Sequence, residues 1–275
     1  MTTDQAVVAR LRAAGCVFAE DEARLLTEAA RSPAELDALV QRRVSGLPLE
    51  QVVGWAEFHG LRIFVDPGVF VPRRRSEFLV DTAISLSHQP GLVIVDLCCG
   101  TGALGLAVST ALGGAEPGGI ELHAADIDPA AVSCARRNLE PAGGHVYLGD
   151  LFGPLPTALR GRVGVLICNA PYVPSPEVTF LPPEARDYEP RVALDGGPDG
   201  LAVLRRVAAA APRWLAPGGS LLTETSDQQA PDMTAAITAA GLTARVHSSE
   251  EYGATVVTGS SDLSRTDPAF PPGAP

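Results

Sequence analysis

The chain has 275 residues, 46% of them apolar, and a formal net charge of −11, which is enough for one large domain with a smaller companion. The acidity argues against a face that grips nucleic acid along its backbone, so we expect no stable nucleic-acid binding. No apolar run approaches the roughly 20 residues of a membrane span, and the first 15 residues lack an apolar signal core, which predicts a cytoplasmic protein without membrane contact.

Residues 1–46 are predicted to form a small helical domain. Its third helix has the clearest start, with Ser32 as the N-cap, Pro33 at the first helical position and Glu35 completing a capping box. Gly46 is expected to end that helix. The domain is too small for a strong core of its own, so we expect it to be stabilised by packing against the rest of the chain or against a partner.

The remaining chain changes from a hairpin pattern to alternating strands and helices. Residues 47–75 are predicted to be a β-hairpin linker. Alternation over residues 76–260 predicts an α/β domain, a parallel sheet with helices on both faces, in which two last strands within 242–258 are antiparallel. The tail, residues 261–275, is predicted to be disordered. The other expected strands are 92–97, 120–126, 146–148, 163–168 and 220–225, and the expected helices are 103–112, 129–139 and 200–215.

The turn after the first of these strands has the composition of a ligand-binding loop. Asp96 lies near the end of the strand, and glycines in the turn let backbone N–H groups approach a ligand. The spacing lacks the third glycine of the dinucleotide pattern G-x-G-x-x-G, and an acid there suits a cation such as a sulfonium better than a pyrophosphate. We therefore expect S-adenosylmethionine as the cofactor, and S-adenosylhomocysteine as its product. The turn residues assigned to the donor are Cys98, Cys99, Gly100, Thr101 and Gly102.

Further acidic residues follow the neighbouring strands. Asp126 ends the second strand, where a carboxylate can accept hydrogen bonds from ribose hydroxyls. Asp150 and Leu151 follow the third strand, where the adenine ring is expected to lie. Asp128 is instead expected to cap a helix, because Pro129 follows it.

The strand at 163–168 ends in Asn169, Ala170, Pro171 and Tyr172, which we identify as the catalytic segment. The side-chain carbonyl of Asn169 and the main-chain carbonyl of Ala170 can together hold one planar –NH2 group, and Tyr172 adds a flat face. Such a grip would align a carboxamide nitrogen with the donor methyl group and favour the charge that develops on it. Asn169 is assigned to the donor site as well.

These motifs together resemble the protein N(5)-glutamine methyltransferases, the HemK/PrmC family. The resemblance implies a helical domain that recognises protein, a seven-stranded Rossmann-like methyltransferase domain, and methylation of the glutamine in the Gly-Gly-Gln loop of peptide chain release factors. It places the donor at Cys98–Gly102, Asp126 and Leu151, and the target amide at Asn169–Tyr172. We accordingly expect a monomeric enzyme with a protein substrate. The matching segments include LEQVVGWAEFHGLRIFV, VPRRRSEFLVD, DLCCGTGALGLA, AADIDPAAVSCARRN, GDLF, NAPYVP, DYEPRVALDGGPDGLAVLRR and LAPGGSLLTETSDQQ.

Two positions and one segment depart from the family pattern. Ala170 replaces the first proline of N-P-P-Y, which keeps the carbonyl on a less rigid backbone. Cys98 replaces a glycine, so its turn must hold a side chain. The usual arginine-proline-acid segment reads Arg73-Arg74-Arg75-Ser76-Glu77. These departures fit a divergent relative with a different protein substrate.

Two other functions remain open at this point. An adenine or guanine amino-group methyltransferase needs the same two acceptors, with Tyr172 stacked on the base, although the acidity and the absence of a target-reading domain count against it. An inactive donor-binding scaffold is the other, because of Cys98 and Ala170. Residues 187–191 either line the substrate cleft or form a purely structural loop. Scattered histidines predict no metal site, and five cysteines without a C-x-x-C pair are typical of free thiols.

Overall fold

A computed structural model of the chain describes residues 3–87, 91–114 and 119–262. The first part is a helical unit whose apolar side chains, among them Leu11, Leu26 and Val40, are buried against one another. A two-stranded antiparallel hairpin follows it. The elements are α1 (Thr3–Ala13), α2 (Ala19–Ala29), α3 (Pro33–Val44), α4 (Leu49–Val53), β1 (Trp55–Phe58) and β2 (Leu61–Phe64).

Helix α3 begins as the capping pattern predicts. The Ser32 hydroxyl oxygen accepts a hydrogen bond from the Glu35 N–H at 3.2 Å. The Glu35 carboxylate accepts one from the Arg31 N–H at 2.7 Å. In a standard capping box this second hydrogen bond comes from the N–H of the N-cap residue itself, whereas here it comes from the residue before the N-cap. Gly46 follows the helix with φ +104°, a left-handed conformation that favours glycine.

The rest of the chain is built on one sheet of seven strands: β3 (Val93–Leu97), β4 (Glu121–Asp126), β5 (His145–Leu148), β6 (Val163–Cys168), β7 (Leu215–Thr225), β8 (Thr243–Ser249) and β9 (Ala254–Ser260). Their order in the sheet is β5-β4-β3-β6-β7-β9-β8. Strands β3 to β7 are parallel, whereas β9 runs antiparallel to β7 and β8. After β5 the chain returns to the other side of β3, which makes the carboxyl ends of β3 and β6 a topological switch point.

Helices cover both faces of the sheet, so the predicted α/β fold is confirmed. Alternate residues of β3 point to opposite faces. Ile94 packs in one apolar cluster with Leu79, and Val95 packs in the other with Val207. The helices of this part are α5 (Glu77–Ser85), α6 (Ala103–Ala111), α7 (Pro129–Leu139), α8 (Pro183–Tyr188), α9 (Ala202–Ala210) and α10 (Ala230–Ala239).

Some predicted boundaries are wrong. Helix α9 ends at Ala210 and continues as a 3-10 turn, Ala211–Arg213, since Pro212 cannot donate a helical hydrogen bond. The predicted disordered tail starts too early, because Ser261 is buried and its N–H donates to the Gly219 carbonyl at 3.0 Å. Residues 263–275 lie outside the described residues. No helix in the described ranges is long and apolar enough to span a bilayer.

Candidate active site

A cavity of about 330 Å³ opens at the carboxyl edge of the sheet, where open α/β sheets bind ligands. Its wall contains residues of both predicted sites: 98–101 and Asp126 from the donor site, and 169–172 from the acceptor segment. The fold therefore brings the two halves of the predicted site into one cavity. The predicted site residues that do not contribute to its wall are Asp96, Gly102, Asp150 and Leu151.

The turn after β3 is shaped by left-handed backbone conformations. Cys98 and Gly100 both have φ +54°, and Gly102 has φ +77°. A side chain in this conformation costs about 1–3 kcal/mol, so Cys98 is strained where a glycine would not be. Gly102 has a second reason to be glycine, because a Cβ there would lie 2.9 Å from the Leu139 side chain. Gly102 thus allows close packing under the loop.

Asp96 lies beneath this loop and not in the cavity wall, so its assignment to the donor site stays a prediction. Its side chain is buried, and Oδ2 accepts a hydrogen bond from the Gly105 N–H at 2.9 Å. Among the described residues Oδ1 has no hydrogen-bond partner. Burial raises the pKa of the Asp96 carboxyl to about 7, because the charged form is poorly solvated there.

Asp126 both holds the loop and faces the cavity. Its Oδ2 accepts from the Gly100 N–H and its Oδ1 from the Asp128 N–H, each at 2.9 Å. Burial raises the pKa of Asp126 above its ordinary value. Each carboxylate oxygen has a further lone pair, so Asp126 can also accept from a ligand hydroxyl. Asp128 caps α7 as predicted, by accepting from the Ala130 N–H at 2.9 Å.

The third predicted contact of the donor is not brought to the cavity. Asp150 Oδ2 lies 2.5 Å from Arg206 Nη2 in a half-exposed ion pair. Leu151 has φ +49° and its side chain packs in the core beneath the sheet edge. Placement of the adenine ring at these two residues stays a prediction.

Asn138, which the sequence analysis did not select, connects the predicted donor loop (residues 98–102) to the β1–β2 hairpin. Its Nδ2 donates to the Thr101 carbonyl at 2.9 Å and to the Phe64 carbonyl at 3.0 Å. Its Oδ1 accepts from the Phe64 N–H at 2.8 Å. One buried amide on α7 therefore fixes β2 and the loop after β3 relative to each other.

Two acceptors orient the amide of Asn169 at the end of β6. Nδ2 donates to the Ser76 hydroxyl oxygen at 3.0 Å and to Glu224 Oε2 at 3.3 Å. Both amide hydrogens are directed to these partners, which leaves Oδ1 as the free acceptor end. Asn169 itself lines the cavity. This is the orientation that an acceptor role requires.

Contacts with Gln229, Gly200 and Glu224 restrain the acceptor segment, residues 169–172. The Tyr172 carbonyl accepts from Gln229 Nε2 at 2.8 Å, and a Cβ at Gly200 would lie only 2.2 Å from that carbonyl oxygen. The Tyr172 hydroxyl donates to Glu224 Oε1 at 2.8 Å. Burial, with the charge of Glu224, raises the pKa of Tyr172, so the phenol is neutral at physiological pH. These contacts restrain the segment although Ala170 lacks the ring of a proline.

The basic run at 73–75 pairs with buried carboxylates. Arg73 Nη2 lies 2.5 Å from a Glu189 oxygen, and Arg75 Nε lies 3.0 Å from a Glu224 oxygen. The side chains of Glu189 and Glu224 are 0% and 2% exposed, so each arginine balances a charge that water cannot solvate. Two of the three arginines are therefore committed to the fold of the site.

The segment after the acceptor residues joins the cavity to the helical unit. Glu184 lines the cavity, and its Oε1 accepts from Arg43 Nη1 at 2.9 Å. The Tyr188 hydroxyl donates to the Ser45 carbonyl at 2.5 Å. Glu189 also lines the cavity. Within 187–191, Tyr188 thus has a structural contact, whereas Glu189 both lines the cavity and pairs with Arg73.

The five cysteines are free thiols, and no three His, Cys, Asp or Glu side chains in the described ranges are grouped so that they could hold a metal ion. Cys98 and Cys99 line the cavity. Burial raises the pKa of the Cys99 thiol well above its ordinary value. Cys99 is therefore protonated at neutral pH and packs as a small apolar group.

The known proteins that the chain resembles in sequence are methyltransferases. A profile of the methyltransferase small domain family matches residues 60–180. Proteins named release factor glutamine methyltransferase are 39% identical over 204 residues in Geobacter sulfurreducens, covering 72% of this chain and 69% of that protein, and 40% identical over 195 residues in Mycolicibacterium smegmatis, covering 70% and 67%. The one from Gloeobacter violaceus is 40% identical over 203 residues, covering 72% and 68%.

A solved structure supports the fold. A methyltransferase from Pyrococcus furiosus superposes with a TM-score of 0.53 at 16% identity, covering 74% of this chain and 90% of the other. At this identity the likeness shows the fold alone, a sheet flanked by helices as described above. The sequence relatives are much closer and span most of both partners. The chain belongs to the family of release factor glutamine methyltransferases.

Proposed function

We propose that the chain transfers a methyl group from S-adenosylmethionine to the side-chain nitrogen of a glutamine in a peptide chain release factor. One observation carries the proposal: the donor loop and Asn169 line the same cavity, and the Asn169 amide has its NH2 end tied inward. The names of the relatives support a release factor as the substrate. Such a substrate would place the enzyme in the cytoplasm.

The donor end of the cavity fits S-adenosylmethionine. Asp126 offers carboxylate oxygens to ribose hydroxyls, and the half-exposed Ile127 offers an apolar surface beside it. Asp126 and Asp128 give this end of the cavity negative charge, which suits a cationic ligand and disfavours a pyrophosphate. When bound, the donor supplies a methyl carbon attached to a positively charged sulfur.

The acceptor end fits a carboxamide. Asn169 Oδ1 and the Ala170 carbonyl would accept the two N–H groups of the target amide and so hold its nitrogen in the cavity that the predicted donor residues also line. Methyl transfer would form the N–C bond as the C–S bond of the donor breaks, which would leave a neutral thioether, and the amide nitrogen would release one proton to solvent. Alignment and matched acceptors therefore replace a strong base, in keeping with a neutral Tyr172.

Methyl transfer from tritiated S-adenosylmethionine tests the proposal directly. The acceptors are a purified release factor, the same protein with its loop glutamine changed to glutamate, and total cellular nucleic acid. We expect label in the first alone. Label in nucleic acid but not in protein would favour a nucleobase methyltransferase, and donor binding without any label would favour an inactive scaffold; either result contradicts the proposal.

A further inference from the structure

Glu224 is a buried carboxylate that contacts the acceptor segment from outside the cavity wall. Strand pairing places it there: Cys168 of β6 pairs with Thr223 of β7, so the residues that follow, Asn169 and Glu224, are neighbours as well. Its side chain is 2% exposed. The donors that reach its two oxygens are Tyr172 Oη at 2.8 Å, Arg75 Nε at 3.0 Å and Asn169 Nδ2 at 3.3 Å.

This carboxylate decides which end of the Asn169 amide faces inward. The two ends of an amide have nearly the same shape, but one donates and the other accepts. The Ser76 hydroxyl can pair with either end, because it both donates and accepts. An ionised carboxylate only accepts, so Glu224 admits only the NH2 end, and Arg75 balances its charge. The oxygen of Asn169 is thereby left for the cavity.

We propose that Glu224 is the positioning residue that keeps Asn169 an acceptor, and that it thereby selects a carboxamide against a carboxylate as the methyl acceptor. Its effect on turnover rests on the proposed function. A glutamine –NH2 group meets an oxygen in the cavity, whereas a glutamate side chain would meet that oxygen with another oxygen and be rejected. If the side-chain amide of Asn169 were free to rotate by 180°, its NH2 end would face the cavity. The site would then discriminate less strongly against a glutamate side chain.

Glu224→Gln tests the selection with almost no change in size, because glutamine can donate to Asn169 where glutamate cannot. For a release-factor fragment with the Gly-Gly-Gln loop, we expect kcat/KM to fall about 100-fold, while the donor Kd from calorimetry changes less than about twofold. A Gly-Gly-Glu fragment should inhibit the variant at least about 10-fold more strongly than the wild type. A merely structural defect would not create this new inhibition, so an unchanged inhibition constant overturns the proposal.

Glu121→Gln is the matched control. It makes the same replacement in a half-buried ion-paired glutamate at the amino end of β4, the opposite edge of the sheet. We expect wild-type turnover and wild-type inhibition from it. Equal effects of the two substitutions would show that any lost carboxylate disturbs the enzyme, and would overturn the specific role of Glu224.

A hydrogen-exchange measurement, which needs no methyl acceptor, separates this inference from the proposed function. The side-chain NH2 resonance of Asn169, assigned by its loss in Asn169→Ala, should exchange with water at least about 10-fold more slowly in the wild type than in Glu224→Gln. Rapid exchange in the wild type would overturn the role of Glu224 even if release factors are methylated. Slow exchange without release-factor methylation would support Glu224 as a positioning residue and reject the proposed substrate.

Discussion

The side chain of Asn138 donates to the carbonyl of Thr101 at 2.9 Å, 37 positions away in the chain. The same amide group makes two hydrogen bonds to the backbone of Phe64. The hairpin and the donor loop are distant in sequence, and this one buried residue joins them. The geometry of the donor loop therefore depends on the hairpin, although the hairpin carries no predicted site residue.

Asn138→Ala should destabilise the protein and loosen the donor loop. It removes one partner each from the Phe64 N–H, the Thr101 carbonyl and the Phe64 carbonyl, the last of which still accepts from the Cys134 thiol. An unsatisfied buried polar group costs about 1–3 kcal/mol. Urea unfolding measures the loss, and calorimetry should show weaker donor binding. Ser85→Ala, which removes one local hydrogen bond from an exposed helical serine, should change stability by less than about 0.5 kcal/mol. Equal stability of the two variants would refute the role of Asn138.

Cys98→Gly should stabilise the protein. Glycine adopts φ +54° without strain, and the relief outweighs the greater freedom of glycine in the unfolded chain by about 1 kcal/mol. Cys98→Ala keeps the strain and loses the sulfur, so it should give no gain. Thermal unfolding of both variants checks this. The same melting temperature for glycine and alanine would mean that backbone strain at this turn is unimportant.

Stability should fall with rising pH because of Asp96. The pKa of this carboxyl is about 7 in the folded chain and 3.8 ordinarily, so the folded state binds the proton more tightly than the unfolded state. The contribution of Asp96 to the stability of the folded state is complete below its ordinary pKa of 3.8 and is lost as the pH rises through its folded-state pKa of about 7. Asp96→Asn stays uncharged, so its stability relative to the wild type should grow across this window by a few kcal/mol, on the order of the shift. Parallel unfolding profiles of the two proteins against pH would contradict the expectation.

The sheet and the two halves of the site could be predicted because their signals are local. The apolar run Val163–Cys168 followed by Asn169 and a proline gives the strand and its end with the correct boundaries. Asp126 is predicted in the same way, and it lies at the last position of β4. Since parallel strands end at one edge of a sheet, local strand ends were enough to predict one cavity.

The partners of these residues could not be predicted, because they arise from contacts between distant strands. Glu224 lies inside β7, 55 residues from Asn169, and its only local signal is a charged residue near the end of that strand. The burial of Asp96 depends on how closely α6 approaches, where a Cβ at Gly105 would lie 3.1 Å from the carboxylate. Neither the contact between Glu224 and Asn169 nor the burial of Asp96 can be predicted from the spacing of residues along the chain.

Asp126→Ala should weaken donor binding and leave the fold intact. Losing a charge-assisted hydrogen bond of about 1.5–3 kcal/mol raises the donor Kd roughly 10- to 100-fold. The variant also releases the N–H of Gly100, which adds to the loss. Glu140→Ala, which removes an exposed carboxylate at the end of α7, serves as the control and should bind the donor like the wild type. Unchanged affinity in calorimetry would remove Asp126 from the donor site.

Asn169→Ala should separate donor binding from turnover. The variant loses the oxygen that would accept from the target amide, so we expect kcat/KM to fall at least about 100-fold with the donor Kd within about twofold of the wild type. Asn169→Asp is the informative partner, because it keeps an oxygen for the cavity but cannot donate to Glu224, whose carboxylate would repel it. We expect this variant to be inactive too. Substantial activity of Asn169→Asp would show that an acceptor oxygen suffices whatever holds it, whereas activity of Asn169→Ala would exclude Asn169 from gripping the amide at all.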